Sequence, residues 1–175
     1  DASDEITEQD VRVLGYVHEQ GKPSVILYNK WDLVEKDSQT VNKYKQSLAQ
    51  NLKFMDYFVV EYVSAKDGTR LNRIMEKVEY VYNNACARIS TGLLNEILQD
   101  AMSTTEPPTH NGKRLKINYI TQVAVTPPSF AIFVNNPELV HFSYLRYLEN
   151  CLRRAKNFEG TPIRLFIRKK NKDKE

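Results

Sequence analysis

A chain of 175 residues holds one ordinary domain or two small ones, and 41% apolar with 27% charged residues suits a soluble, core-forming protein rather than a disordered one. No apolar run approaches the ~18 residues of a membrane span, and the acidic start from Asp1 to Asp10 has no basic n-region or apolar h-region, which excludes a signal peptide. The net charge of +3 hides an asymmetry: residues 1–89 carry 12 Lys and Arg against 14 Asp and Glu, and residues 90–175 carry 13 against 8.

The first predicted element is a helix capped by Thr7, with Asp10 reaching back to it. Val11, Leu14 and Val17 recur at helical spacing, and Gly21 ends the run. Pro23 precedes a buried strand, Ser24–Asn29. An amphipathic helix follows over Ser38–Lys53, with Val41, Tyr44, Leu48 and Leu52 on one face. Phe58–Val63 is the next strand. A long helix runs from about Thr69 to Ala87, its inner stripe made of Leu71, Ile74, Met75, Val78, Val81 and Tyr82. Helix–strand–helix–strand–helix with short connections predicts a parallel sheet with helices packed on it.

The pattern changes near Ile89. Ser90 or Thr91 caps a helix striped by Leu93, Leu94, Ile97, Leu98, Ala101 and Met102. A polar loop, Ser103–Arg114, includes Asn111-Gly112. Leu115–Val125 alternates as a strand, with Leu115, Ile117, Tyr119, Thr121, Val123 and Val125 on one side. After the Pro127-Pro128 turn come a strand Phe130–Val134, a helix from about His141 to Lys156, and a strand Pro162–Arg168. Residues 90–175 therefore read as an α+β module of order α-β-β-α-β. Cys86 and Cys151 stand far apart on helix-like segments and read as free thiols of a reducing compartment. His18, His110 and His141 share no spacing with acids or cysteines and suggest neither a metal site nor catalysis.

Two short strings carry the chemistry. Asn29-Lys30-Trp31-Asp32 closes one strand and Ser64-Ala65-Lys66 closes the next. In a parallel α/β sheet these strand ends carry the ligand-binding loops. Guanine presents N1–H and its N2 amino group side by side, and a carboxylate, Asp32, accepts both in a charge-assisted pair. Adenine offers an acceptor at N1 and no amino group at C2, so such a site rejects it by roughly 10⁴-fold. The Asn29 amide suits guanine N7 and also braces neighbouring loops. The Lys30 stem can lie along the base. Trp31, inside the motif, is assigned to packing. The Ala65 N–H can donate to guanine O6, while Ser64 and Lys66 shape the second loop. The bland alternative makes Asp32 a helix cap and Asn29 a turn former.

These strings, with Asp1-Ala2-Ser3, the Thr-Glu-Gln-Asp helix start and N-K-W-D-L, resemble the second GTPase domain of the bacterial Der (EngA) proteins. Pro137 to Tyr144, Arg146 to Asn150 and Phe158 to Leu165 are similar to the KH-like domain that follows it. The resemblance covers nearly the whole chain. It implies a partial P-loop GTPase α/β sheet over 1–89 and a KH-like domain with a basic tail over 90–175. It further implies GTP or GDP as ligand, with Mg²⁺ only in the complete parent, and a cytoplasmic role in assembling the large (50S) ribosomal subunit. Membranes are not implied as partners.

The departures matter. No G-x-x-x-x-G-K-S/T loop occurs, nor the switch threonine and D-x-x-G of the phosphate side. Nothing in these residues is expected to cradle β- and γ-phosphates or Mg²⁺. Hydrolysis therefore requires the remaining GTPase segments of the parent, in cis or in trans, and the Ser24–Asn29 strand is expected to expose an apolar edge. The KH-type G-x-x-G clamp is missing too. Candidate RNA contacts are instead Arg153, Arg154, Lys156, Arg164, Arg168, Lys169 and Lys170, whose charges would neutralise rRNA phosphates. Tyr119, Phe130, Phe133, Tyr144 and Tyr147 are assigned to the core. A competing reading is a non-enzymatic RNA or ribosome adaptor with a vestigial GTPase half. A dehydrogenase-like reading fails for want of G-x-G-x-x-G.

Overall fold

The computed structural model describes residues 1–110 and 112–170. Asn111 of the predicted Asn-Gly turn and the last five residues of the basic tail lie outside the described residues. Two compact units emerge: Asp1–Ala85 with Phe158–Pro162, and Cys86–Asn157 with the chain from Ile163. The first unit thus ends at Ala85 and includes a short segment from far along the chain.

In the first unit, α1 (Glu8–Glu19) starts with a complete capping box. Asp10 N–H donates to Thr7 Oγ1 at 3.2 Å, and Thr7 N–H donates back to Asp10 Oδ2 at 2.9 Å. Gly21, at φ 69°, turns the chain out of the helix. Then come β1 (Val25–Tyr28), a 3-10 turn (Trp31–Leu33), α2 (Thr40–Asn51), β2 (Val59–Tyr62) and α3 (Asn72–Ala85). β1 and β2 pair in parallel from Val25↔Val59 to Tyr28↔Tyr62. The core gathers Tyr28, Trp31, Leu48, Leu52, Met55, Tyr57 and Tyr62. Its rings interlock: Tyr28 meets Tyr44 edge-on at 4.9 Å, and Trp31 lies 4.5 Å from Tyr62 and 5.0 Å from Tyr44. Each such pair adds roughly 0.5–1.5 kcal/mol beyond the buried area.

One expectation fails here. The apolar stripe of α3 exists at helical spacing, but only Val81 and Ala85 are buried. Met75 is 69% and Tyr82 58% exposed, and Leu71 and Val78 are exposed as well. A sheet of two strands spaced about 4.8 Å apart is too narrow to cover a stripe four turns long. Leu27 of β1 is likewise exposed.

The second unit contains α4 (Thr91–Thr104), β3 (Thr109–His110), β4 (Lys113–Arg114), β5 (Ile117–Ala124), β6 (Ser129–Val134), α5 (Phe142–Ala155) and β7 (Arg164–Lys169). Ser90 caps α4 by accepting from Leu93 N–H. The β3–β4 hairpin forms within the stretch expected to be a loop. β6 is central, antiparallel to β5 and parallel to β7. Leu94, Leu98 and Ala101 of α4 and Leu148 and Leu152 of α5 close on Ile120 of β5, leaving a cavity of ≈ 10 Å³.

Ile120 pairs with Ile132, so both point toward the helices, and Tyr119 and Thr121 face the other way. This corrects the predicted inner face of β5. Irregularities between Ile117 and Tyr119 and between Gln122 and Ala124 break the register, so simple alternation from Leu115 picks the wrong side. Val123 is 55% exposed, and Tyr119, expected in the core, is 37% exposed. Phe130 and Tyr144 are buried as expected. Both cysteines are free. Among the described residues, no helix is long and apolar enough to cross a membrane.

Candidate guanine-reading site and basic surfaces

Parallel pairing carries the ends of β1 and β2 to the same edge, and two further bonds extend the ladder into the loops. Val63 N–H donates to Tyr28 O at 2.9 Å, and Trp31 N–H donates to Val63 O at 3.0 Å. The Asn29–Asp32 and Ser64–Lys66 loops therefore lie side by side. Trp31 is 5% exposed. Its ring pins the first loop to the aromatic core, while Lys36 sits 5.8 Å above its face. Lys30 adopts left-handed backbone, φ 60° and ψ 35°, a conformation that costs a non-glycine residue about 1 kcal/mol. That turn starts the 3-10 segment carrying Asp32.

Two side-chain bonds tie the loops together. Ser64 Oγ donates to Asp32 Oδ1 at 2.6 Å. Asn29 Oδ1 accepts from Ala65 N–H at 3.1 Å. Ser64 is fully buried, and its Oγ also accepts from Asp67 N–H at 3.2 Å. The Ser64 hydroxyl holds the Asp32 carboxyl below the usual carboxylate range, with Lys66 and Lys36 adding smaller electrostatic help. A carboxylate offers about four acceptor positions, and Ser64 takes one. Asp32 is partly exposed and ionised at neutral pH, with acceptor capacity left for two adjacent donors.

Two groups stand differently from the roles expected of them. The Ala65 N–H already has an acceptor in Asn29, so donation to a base carbonyl requires it to be shared. The Lys30 ammonium pairs with the Asp1 carboxylate. Lys66 is exposed. Sequence reasoning missed Asp1, Lys36 and Asp67. Asp67 lies one residue beyond the motif, whereas nothing in the spacing of Asp1 and Lys30 announces their pairing.

The seven basic candidates do not form one surface. Arg153 is largely buried and pairs with Glu149 at 2.9 Å one turn earlier in α5. Arg154 donates to Cys151 Sγ at 3.1 Å. Lys156 follows at the end of α5, on the helical layer. Arg164 and Arg168 alternate with inward-facing Leu165 and Ile167 and point from the opposite side of the sheet. Lys169 ends β7, and Lys170 N–H donates to Val134 O at 2.9 Å. Nearness in sequence misled because a helix layer and a strand face intervene.

Residues 88–168 match the family described as the KH-domain-like C-terminal domain of EngA bacterial GTPase enzymes. The whole chain is similar to GTPase Der of Acetivibrio thermocellus, 50% identical over 173 residues, 99% of this chain and 39% of that protein. It is 51% identical to GTPase Der of Halothermothrix orenii over 170 residues, 97% of this chain and 39% of that protein. GTPase Der of Pelotomaculum thermopropionicum is 51% identical over 173 residues. The chain spans about two fifths of the length of these relatives.

Proposed function

Starting from a chain whose residues 88–168 match the EngA KH-like domain and 99% of which aligns with part of GTPase Der, we propose that it supplies guanine recognition to a GTPase acting on the ribosome. The observation that carries this is the pair of braces, Ser64 to Asp32 and Ala65 to Asn29, which hold an ionised acceptor and an amide side by side at one strand edge. In the proposed complex Asp32 accepts guanine N1–H and N2–H, Asn29 faces N7, and Ala65 N–H is shared with O6. Lys30 and Lys66 flank the base, and Trp31 keeps the loop fixed. The residues present fit a purine base. The phosphates and Mg²⁺ would be held by the remaining GTPase segments of the parent, in cis or in trans, so this chain alone turns over no GTP. The KH-like unit, with its positive charge, would contact large-subunit rRNA in the cytoplasm.

The test is amide chemical-shift mapping of the 175-residue chain with guanosine and adenosine monophosphates. Shifts at Asn29, Asp32, Ser64 and Ala65 with the guanine compound alone support the reading. Equal response to both purines, or none at these positions, refutes it. Measurable GTP turnover by the purified chain would overturn the division of labour.

A further inference from the structure

The three-stranded sheet β5-β6-β7 contains Arg164, Arg168 and Lys169 and not one Asp or Glu within its strands. Their register sorts the residues onto two faces. Phe130, Ile132 and Val134 point to the helices with Leu165 and Ile167, while Tyr119, Phe133, Phe166, Arg164 and Arg168 share the other face. Across that face Tyr119 pairs with Phe133, and Phe133 with Arg168. In the neighbouring row Thr121 pairs with Ala131, and Ala131 with Phe166. The Tyr119 and Phe133 rings stack at 4.3 Å and 15°. Tyr119 remains 37% and Phe166 41% exposed, with small Ala131 between the aromatic rows. The face thus offers the outer side of the stacked Tyr119–Phe133 pair and the exposed Phe166 ring, with the Arg168 guanidinium in the Tyr119–Phe133 row and no carboxylate on the strands themselves.

We infer that this sheet face, not the helical layer, is a binding platform for single-stranded RNA: bases stack on the outer side of the Tyr119–Phe133 pair and on Phe166, and backbone phosphate sits at Arg168. An aromatic platform beside cations is the arrangement that single strands use, because every base has a π-face and every nucleotide a charge. A duplex hides its base faces and gains nothing from the rings. A protein partner with an apolar patch would use the rings but not the Arg168 guanidinium beside them, so charge favours the polyanion. The inference rests on the RNA-contact side of the proposed function and is independent of the guanine site.

The experiment is fluorescence anisotropy of the 175-residue chain with a labelled oligouridylate of about 12 nucleotides and a hairpin duplex of equal charge. Wild type binds the single strand in preference to the duplex. Tyr119→Ala and Phe166→Ala each weaken binding by roughly tenfold, Phe166→Trp retains it, and Arg168→Ala lowers the salt slope by about 0.7. Arg154→Ala and Lys156→Ala, on the helical layer, leave affinity unchanged. Amide-shift mapping on the unmodified chain covers any variant that fails to fold, and shifts on β5, β6 and β7 are expected. Equal affinity for the duplex overturns the proposal, as does loss confined to the α5 variants or unaltered binding in the ring variants. Loss confined to α5 leaves the RNA reading standing, whereas absence of any RNA binding removes both.

Discussion

The buried Ser64 hydroxyl donates to Asp32 Oδ1 at 2.6 Å, so the proposed base-reading carboxylate takes its acidity from the neighbouring loop. Ser64→Ala is expected to raise the Asp32 pKa toward the ordinary value. Base binding needs the carboxylate, so it weakens as pH falls through the Asp32 pKa, and in the variant that loss begins at higher pH. Carboxyl-carbon NMR titration of Asp32 in both proteins checks this. Superimposable curves would mean that Ser64 only fills space.

Asp32→Asn changes the base that is read. The amide oxygen accepts guanine N1–H, but its N–H then confronts the N2 amino group. Xanthine has a carbonyl at that position and turns the clash into a hydrogen bond. A lost charge-assisted bond of about 1.5–3 kcal/mol corresponds to guanine affinity falling roughly 10- to 100-fold. Competition between guanosine and xanthosine phosphates measures the swap. A uniform loss for both bases would place Asp32 in loop structure rather than base reading.

Gly160 has φ 75° and lies against α3, where a Cβ would come 2.3 Å from Val81 Cγ2 and 2.7 Å from Cγ1. Its N–H donates to Tyr57 O at 2.6 Å, and its carbonyl accepts from Ser24 N–H at 2.8 Å, so the backbone has little room to retreat. Gly160→Ala should destabilise the first unit by about 2–4 kcal/mol, combining overpacking with left-handed strain. Trp31 is buried in that unit and is the chain's sole tryptophan, so its fluorescence in urea reports the loss. Adding Val81→Ala should return part of it, and a double-mutant cycle gives the coupling. An unchanged midpoint would show that the segment is not held as described.

How legible this was depended on how local the signal is. The Thr7–Asp10 capping box, the Gly21 stop and the Ser90 cap are contacts within four residues, and all three form. Asn29 bracing the second loop was also readable, because the two motifs end adjacent strands. The face of β5 was not. Its irregularities at both ends shift the alternation, and they arise from pairing with β6 rather than from its own residues. The α3 stripe was read correctly as a pattern, but a pattern does not say whether enough sheet exists to cover it. The union of Phe158–Pro162 with the first unit left no trace in the pattern either. It depends on a glycine meeting a valine 79 positions away.

Tyr28 and Tyr44 meet edge-on at 4.9 Å, yet their hydroxyls have opposite fates. Tyr44 donates to Ala2 O at 2.5 Å, whereas the buried Tyr28 hydroxyl finds no partner among the described residues. Burial, reinforced by Tyr62 and Tyr44, pushes the Tyr28 pKa up to about 12. The folded value lies above the unfolded one near 10, so stability is insensitive to this group below about pH 10 and falls as pH rises from there through about 12. Tyr28→Phe removes an orphaned donor and keeps the ring. It should stabilise the first unit by about 1 kcal/mol and flatten the alkaline side of its stability profile. Tyr44→Phe should cost about 1 kcal/mol, since the Ala2 carbonyl then loses its donor. Urea midpoints by Trp31 fluorescence between pH 8 and pH 11 separate the two. Destabilisation by Tyr28→Phe would show that its hydroxyl has a partner after all.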